Sequence, residues 1–258
     1  MRTNSNYWKE REMLYNISLN TARQKLAREY LRLIRKTQEE LEALLFREGD
    51  LSINDLYKAN RYEKLLKIFK KNVKELERSE KEIIKNSLQD MYVDNVRIVS
   101  REFDTIPLVD AKRPALKAIN TTWAPDAKCW TTRIGIHGAE LQQTLMQGLV
   151  DCVAAGRPHI EISKMIEKRY NVSFSQAERL VRTELSYVQN SSTYDRYKEA
   201  GIEYYELVTA DDNRVCEECK ELNPGPIPMK DKVVGENFPP LHPNCRCTIK
   251  PVIPEDWY

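Results

Sequence analysis

The sequence predicts a mainly α-helical protein with a small C-terminal β-containing, zinc-knuckle-like module, an α+β class overall. Three observations predict it. Apolar residues recur at helical spacing through the first half, a short aromatic, β-prone run follows residue 201, and a Cys/His cluster crowds the end of the chain. Hydrophobic residues make up 41% and charged residues 31%, enough for a core and a sign of long solvated helices.

Residues 1–103 read as a long-helix hairpin. Leu19, Ala22, Leu26, Tyr30, Leu33, Thr37, Leu41 and Leu44 recur at spacings of three and four, which places them on one helix face. Arg47–Asn54, with Gly49 and Asp50, breaks the pattern, and Ser52 with Asp55 forms a capping-box-like start. A second helix is expected from about Asn54 to about Ser100. Leu66, Phe69, Val73, Leu76 and Ile83 mark its apolar face, widened by Leu65 and Ile84. Lys64, Lys67, Lys71, Lys74, Arg78, Lys81 and Lys85 form a basic stripe on the opposite face.

Residues 104–130 read as a connector, because Pro107, Pro114 and Pro125 interrupt it. A central helical domain is expected over 131–201. It comprises a helix from near Ile136 to Ala155 closed by Gly156, a short amphipathic helix over His159–Tyr170, and a helix opened by a Ser175/Glu178 capping box and stopped at Gly201. Residues 202–258 read as the small module: a strand over Tyr204–Thr209, a turn at Asp211–Asn213, an irregular loop through Pro224, Gly225, Pro226 and Pro228, and a closing strand over Cys247–Val252.

Composition also excludes. With 8 glycines and neither a dinucleotide-binding nor a P-loop pattern, the chain has little from which to build a phosphate-cradling loop. No run approaches the ~18 apolar residues of a membrane span. The start, Met1 to Lys9, lacks the apolar stretch and cleavage site of a secretion signal, so a reducing, intracellular setting and no membrane partner are expected. Positive charge is concentrated in residues 1–120, whereas 121–258 is net acidic.

The chemistry lies in two motifs. Asp212-Asn213-Arg214-Val215-Cys216-Glu217-Glu218-Cys219 carries a Cys-x-x-Cys, and Pro239-Pro240-Leu241-His242-Pro243-Asn244-Cys245-Arg246-Cys247 carries a His-x-x-Cys-x-Cys. In each, one tight turn can present two donors to one ion, and four donors close a tetrahedral zinc site with no position left for substrate water. There are five candidates for four places. Cys216, Cys219, His242 and Cys245 are the favoured set, with Cys247 the alternative to His242. The competing reading is reduced cysteines or a disulfide in a loop-rich module. A small module with few apolar residues gains folding energy from structural zinc.

These motifs, together with Arg182-Thr183-Glu184 in the preceding helix, resemble the phage head-morphogenesis family typified by phage Mu protein F and the minor head proteins of Gram-positive phages. The resemblance covers about residues 125–252, and the order of elements matches as well. Tyr7-Trp8-Lys9-Glu10-Arg11 is similar, less specifically, to the N-terminal region of those proteins. The resemblance implies a minor capsid protein acting in head morphogenesis, present in several copies inside the virion head near the portal vertex, and assembled in the host cytoplasm. Its implied partners are the portal protein, the inner capsid and, without sequence preference, packaged DNA during packaging or ejection. Some members carry an additional C-terminal enzyme or toxin domain; this chain stops at Tyr258, and no enzymatic activity is expected of it.

Other residues have plainer readings. Glu178 and Arg182, four apart, can pair on one helix face; Glu184, two from Arg182, cannot join that face. All three are expected to orient the helix against the module rather than to catalyse. His137 and His159 read as ordinary helix residues, and Cys129 and Cys152 as buried small hydrophobes. The basic stripe can meet DNA phosphates or be a solvated face relieved by Glu63, Glu75, Glu77 and Glu82. Two alternatives stand: a zinc-dependent hydrolase or nuclease with Glu184 as base, and a free nucleic-acid-binding zinc-knuckle regulator. The latter is opposed by Asp211, Asp212, Glu217, Glu218 and Glu221, whose charge repels phosphate.

Overall fold

The computed structural model describes residues 5–45, 61–103, 111–209, 216–221 and 225–253. Along the chain run α1 (Ser5–Leu45), α2 (Arg61–Glu102), α3 (Lys112–Asn120), α4 (Trp130–Ala154), α5 (His159–Glu199), β1 (Tyr204–Val208), α6 (Glu217–Glu221), β2 (Ile227–Pro228), a 3-10 turn at Met229–Asp231, and β3 (Thr248–Val252). The mainly helical class with a small C-terminal sheet is as the sequence predicts. The break at Arg47–Asn54, the Ser52/Asp55 start and the Asp211–Asn213 turn lie outside the described residues.

The chain divides into two compact units. One draws on Met1–Ala22, Ile84–Trp130 and Arg179–Tyr258, the other on Arg23–Ile83 and Thr131–Glu178. Helices α1, α2 and α5 each give residues to both.

The Arg23–Ile83/Thr131–Glu178 unit is helical. The predicted period is realised: Leu26, Tyr30, Leu33, Thr37 and Leu41 of α1 are all buried, as are Leu65, Phe69, Val73 and Leu76 of α2. The two helices run antiparallel within this unit, because Arg32 and Lys36 both meet Glu75 (2.8 and 2.5 Å), while Glu40, one turn further along α1, meets Lys71 at 3.0 Å. Helix α5 joins them through polar side chains. Asn72, fully buried, donates to Thr37 Oγ1 (3.1 Å) and Glu40 Oε2 (2.9 Å), and Thr37 Oγ1 lies 3.0 Å from Tyr170 OH. Buried amides of this kind cost about 1–3 kcal/mol when a partner is left unmatched. Asn72→Ala is therefore expected to lower unfolding free energy by about 2 kcal/mol, read as a shift of the urea midpoint at unchanged slope. Helix α4 approaches α5 closely at Gly148, where a Cβ would lie 2.6 Å from Met165 Sδ.

Three boundaries differ from expectation, each for a local reason. Helix α4 starts six residues before Ile136, at Trp130, whose indole N–H donates to the Ile119 carbonyl at 3.0 Å. The expected connector contains α3: Pro114 falls in its first turn, where a missing N–H breaks no helical bond, and Ala115 and Ile119 are buried. The two helices expected on either side of Ser175 are one continuous α5. Ser175 Oγ donates back to the Asn171 carbonyl at 3.0 Å instead of capping, and Glu178 pairs with Arg23 at 3.2 Å.

In the unit that holds the C-terminal residues, α5 ends as predicted at Gly201, in the left-handed region at φ 78°. The Gly201 N–H reaches the Lys198 carbonyl (3.2 Å) and the Ile202 N–H the Tyr197 carbonyl (3.0 Å), the double bond of a Schellman end. The chain turns there into a sheet of order β2-β1-β3. β1 pairs antiparallel with both neighbours, Tyr205 opposite Ile227 and Leu207 opposite Ile249. Tyr205, Ile227 and Ile249 share a buried cluster with Tyr7, Val99, Phe103, Tyr197, Ile202, Met229 and Phe238. Strand β2 arises inside the Pro/Gly loop, where the composition gave no strand signal.

Candidate metal centre

Two tight turns bring the five predicted donors together. Cys216 precedes α6 and Cys219 lies within it; the Cys219 N–H points at Cys216 Sγ (3.4 Å) and the Lys220 N–H at the Cys216 carbonyl (3.1 Å). In the second turn, the Cys245 N–H reaches the His242 carbonyl at 3.1 Å, and Asn244 takes a left-handed conformation at φ 65°. An asparagine side chain tolerates that region better than most.

Cys216, Cys219 and His242 form one group and Cys219, Cys245 and Cys247 another, with the donor atoms of each within 4.8 Å of one another. Cys219 is common to both. All of these cysteines are free thiols, and Cys219, Cys245 and Cys247 are buried. His242 Nε2 is 3.1 Å from both Cys216 Sγ and Cys219 Sγ. Its other nitrogen, Nδ1, is 2.8 Å from the Pro243 carbonyl oxygen, which can only accept. Nδ1 therefore donates to that oxygen, and Nε2, which faces the sulfurs, is the nitrogen a metal would take.

The electrostatics suit a cation. A hydrogen bond from Cys247 chiefly holds the Cys245 thiol down at about 5, against the effect of burial. The same bond, with burial behind it, pushes Cys247 far up, and burial pushes Cys219 up to about 12. Of these three thiols Cys245 thus gives up its proton most readily. A divalent ion would replace the remaining protons as it binds. The donor set therefore fits a metal: the five residues, grouped in two threes that share Cys219, could hold an ion.

The Arg182-Thr183-Glu184 motif supports this loop. Thr183 Oγ1 accepts the Asn244 N–H at 3.1 Å and donates to the Arg179 carbonyl at 2.8 Å. Glu184, buried, accepts the indole N–H of Trp123 at 3.0 Å, and Trp123 stacks on Tyr187 with centroids 5.1 Å apart. The Arg182 carbonyl accepts Tyr15 OH at 3.0 Å, and Glu178 bonds Arg23. Thr183→Val keeps the shape but strands the Asn244 N–H. A loss of about 1–3 kcal/mol and a 10–100-fold weaker metal affinity are expected, measured by thermal unfolding and chelator competition.

The remaining predicted residues sit elsewhere. Lys64, Lys67, Lys71, Lys74, Arg78 and Lys85 are exposed along α2 and Lys81 is half-buried; Lys71 pairs with Glu40. Cys129 and Cys152 are half-buried rather than buried, and His159 opens α5. Sequence reasoning missed the polar seam beside the cluster. Asn190 Nδ2 donates to the Cys247 carbonyl (3.2 Å), and Thr248 Oγ1 donates to Asn190 Oδ1 (2.8 Å). The available signal was the polar run Gln189 to Thr193, all of it buried in α5.

Residues 141–250 match the family model described as Phage Mu protein F like protein. Over that stretch the chain matches the family that its motifs resemble, which supports a bacteriophage protein associated with the head. No curated protein and no solved structure gives a significant match. No helix among the described residues is long and apolar enough to cross a membrane.

Proposed function

From a C-terminal region that matches a phage head family, we propose that this protein is a minor capsid protein acting in head morphogenesis. It sits inside the head near the portal vertex in several copies and binds the portal protein and inner capsid. The match over residues 141–250 carries this reading. The cluster's role is structural, and its ion is zinc: four of its five donors saturate a tetrahedral zinc site, three or four of them thiolates, leaving no water to activate. The protein accordingly catalyses nothing. The exposed lysines of α2 offer a sequence-independent contact to DNA phosphates during packaging or ejection.

The test is co-purification of the tagged protein with portal protein and assembled heads, with metal content read on the same sample. Stoichiometric association with portal and about one zinc per chain is expected, since a single four-ligand site holds one ion. A protein that remains free of portal and heads overturns the morphogenesis role. Zinc with an exchangeable bound water would instead favour a zinc hydrolase.

A further inference from the structure

The start of α1 docks on the strand that follows Cys247, the last donor of the cluster. Arg11 is only 3% exposed, and among the described residues no carboxylate pairs with it. Its guanidinium is solvated by neutral oxygens instead: Thr193 Oγ1 at 2.9 Å, Thr248 Oγ1 at 2.8 Å, the Ile249 carbonyl at 3.5 Å and Tyr7 OH at 3.4 Å. Two of these four belong to β3, immediately after Cys247. Asn190 bonds both the Cys247 carbonyl and the Thr248 hydroxyl, so the end of the donor loop and the acceptor share one anchor. Gln189 Nε2 donates to the Arg11 carbonyl at 2.8 Å, and Tyr7 OH lies 3.0 Å from Tyr197 OH.

The guanidinium also lies over the Tyr7 and Trp8 rings of its own helix, 5.4 and 5.3 Å from their centroids, so a buried charge with no counter-ion among the described residues depends on where the β3 oxygens are held. We propose that the segment Cys245–Ile249 is a metal-set latch for the first turns of α1: a divalent ion on the cluster fixes Thr248 and Ile249 beneath Arg11, and loss of the ion releases the helix start. Displacing those two oxygens leaves the guanidinium with Thr193 Oγ1 and Tyr7 OH alone as acceptors, and the helix start returns to water rather than remain buried with half of its acceptors gone. The release bares Tyr7, buried in the cluster with Tyr197, and Trp8, packed against it. The inference rests on the cluster holding a metal ion, and on nothing about portal or heads.

Hydrogen exchange on the full-length chain tests it, comparing zinc-loaded protein with chelator-stripped protein of measured metal content. Amides of residues 7–18 are expected to exchange at least tenfold faster after stripping, with those of 26–41 unchanged. By reciprocity of linkage, Arg11→Met must weaken zinc binding by a similar factor in chelator competition, while Lys9→Met, an exposed neighbour, leaves it unchanged. Equal protection of 7–18 with and without metal overturns the latch, as does loss of protection across the whole chain on stripping. A protein that takes up no zinc overturns the latch and the metal reading together, and the metal assay distinguishes that case from the others.

Discussion

Cys219→Ser is expected to strip the protein of metal and to melt the C-terminal sheet. Cys219 is the donor common to both groups of the cluster, so its loss reduces each of them to two donors. Serine keeps the size but offers a hydroxyl that stays protonated. Structural zinc contributes on the order of 10 kcal/mol in small domains, against which a three-stranded sheet whose β2 spans only Ile227–Pro228 has little in reserve. Metal content should fall from about one ion per chain to none, and amides of β1 and β3 should lose protection. Cys129→Ser and Cys152→Ser, outside the cluster, should change neither. His242→Ala and Cys247→Ser resolve the fourth ligand: the larger loss of affinity marks it. A Cys219→Ser protein that retains its zinc sinks the assignment.

Glu80→Gln is expected to stabilise the protein at alkaline pH and to do nothing below pH 4.5. Glu80 is 4% exposed and accepts a hydrogen bond from Tyr30, whose hydroxyl also lies 3.0 Å from Ser173 Oγ. Burial pushes the Glu80 carboxyl up to about 7, against the opposing effect of the Tyr30 bond, with Glu77 adding to the rise and Lys81 reducing it. The folded form therefore holds its proton more tightly than the unfolded form. The stability this supplies is complete below about 4.5 and is lost as pH rises through about 7, a difference of roughly 3 kcal/mol. Glutamine keeps the shape and an acceptor for Tyr30 while removing the charge. Urea midpoints measured from pH 4 to 9 should slope downward for the parent across this window and be flatter for the variant. Parallel curves would show that the carboxyl ionises without penalty.

The sequence made some of this legible because the signal was local. Leu26, Leu33 and Leu41 repeat at helical spacing and are all buried. Gly156 and Gly201 stop helices at positive φ because no side chain obstructs that backbone. The five donors were readable because a tight turn fixes which neighbours in sequence become neighbours in space. The polar seam was not readable. Arg11, Gln189, Asn190, Thr193 and Thr248 look like surface residues one by one, and only their bonds to one another make them interior. Asn171 to Ser175 looked like a helix boundary because its residue types also cap helices, and the competition between capping and bonding backwards is decided by the packing of the whole helix.

The bond between Arg11 and Thr248 joins residues 237 positions apart, and that separation has a consequence for biogenesis. At a ribosomal rate of about 5–20 residues per second, roughly 10–50 s separate the emergence of the two partners. Throughout that interval the first helical turns have no dock, and the tyrosines and arginine that will be buried remain in water. Arg11 and its partners on β3 therefore come together only after the helices between them have emerged, and contacts of such long range make that closing step slow relative to formation of the helices themselves.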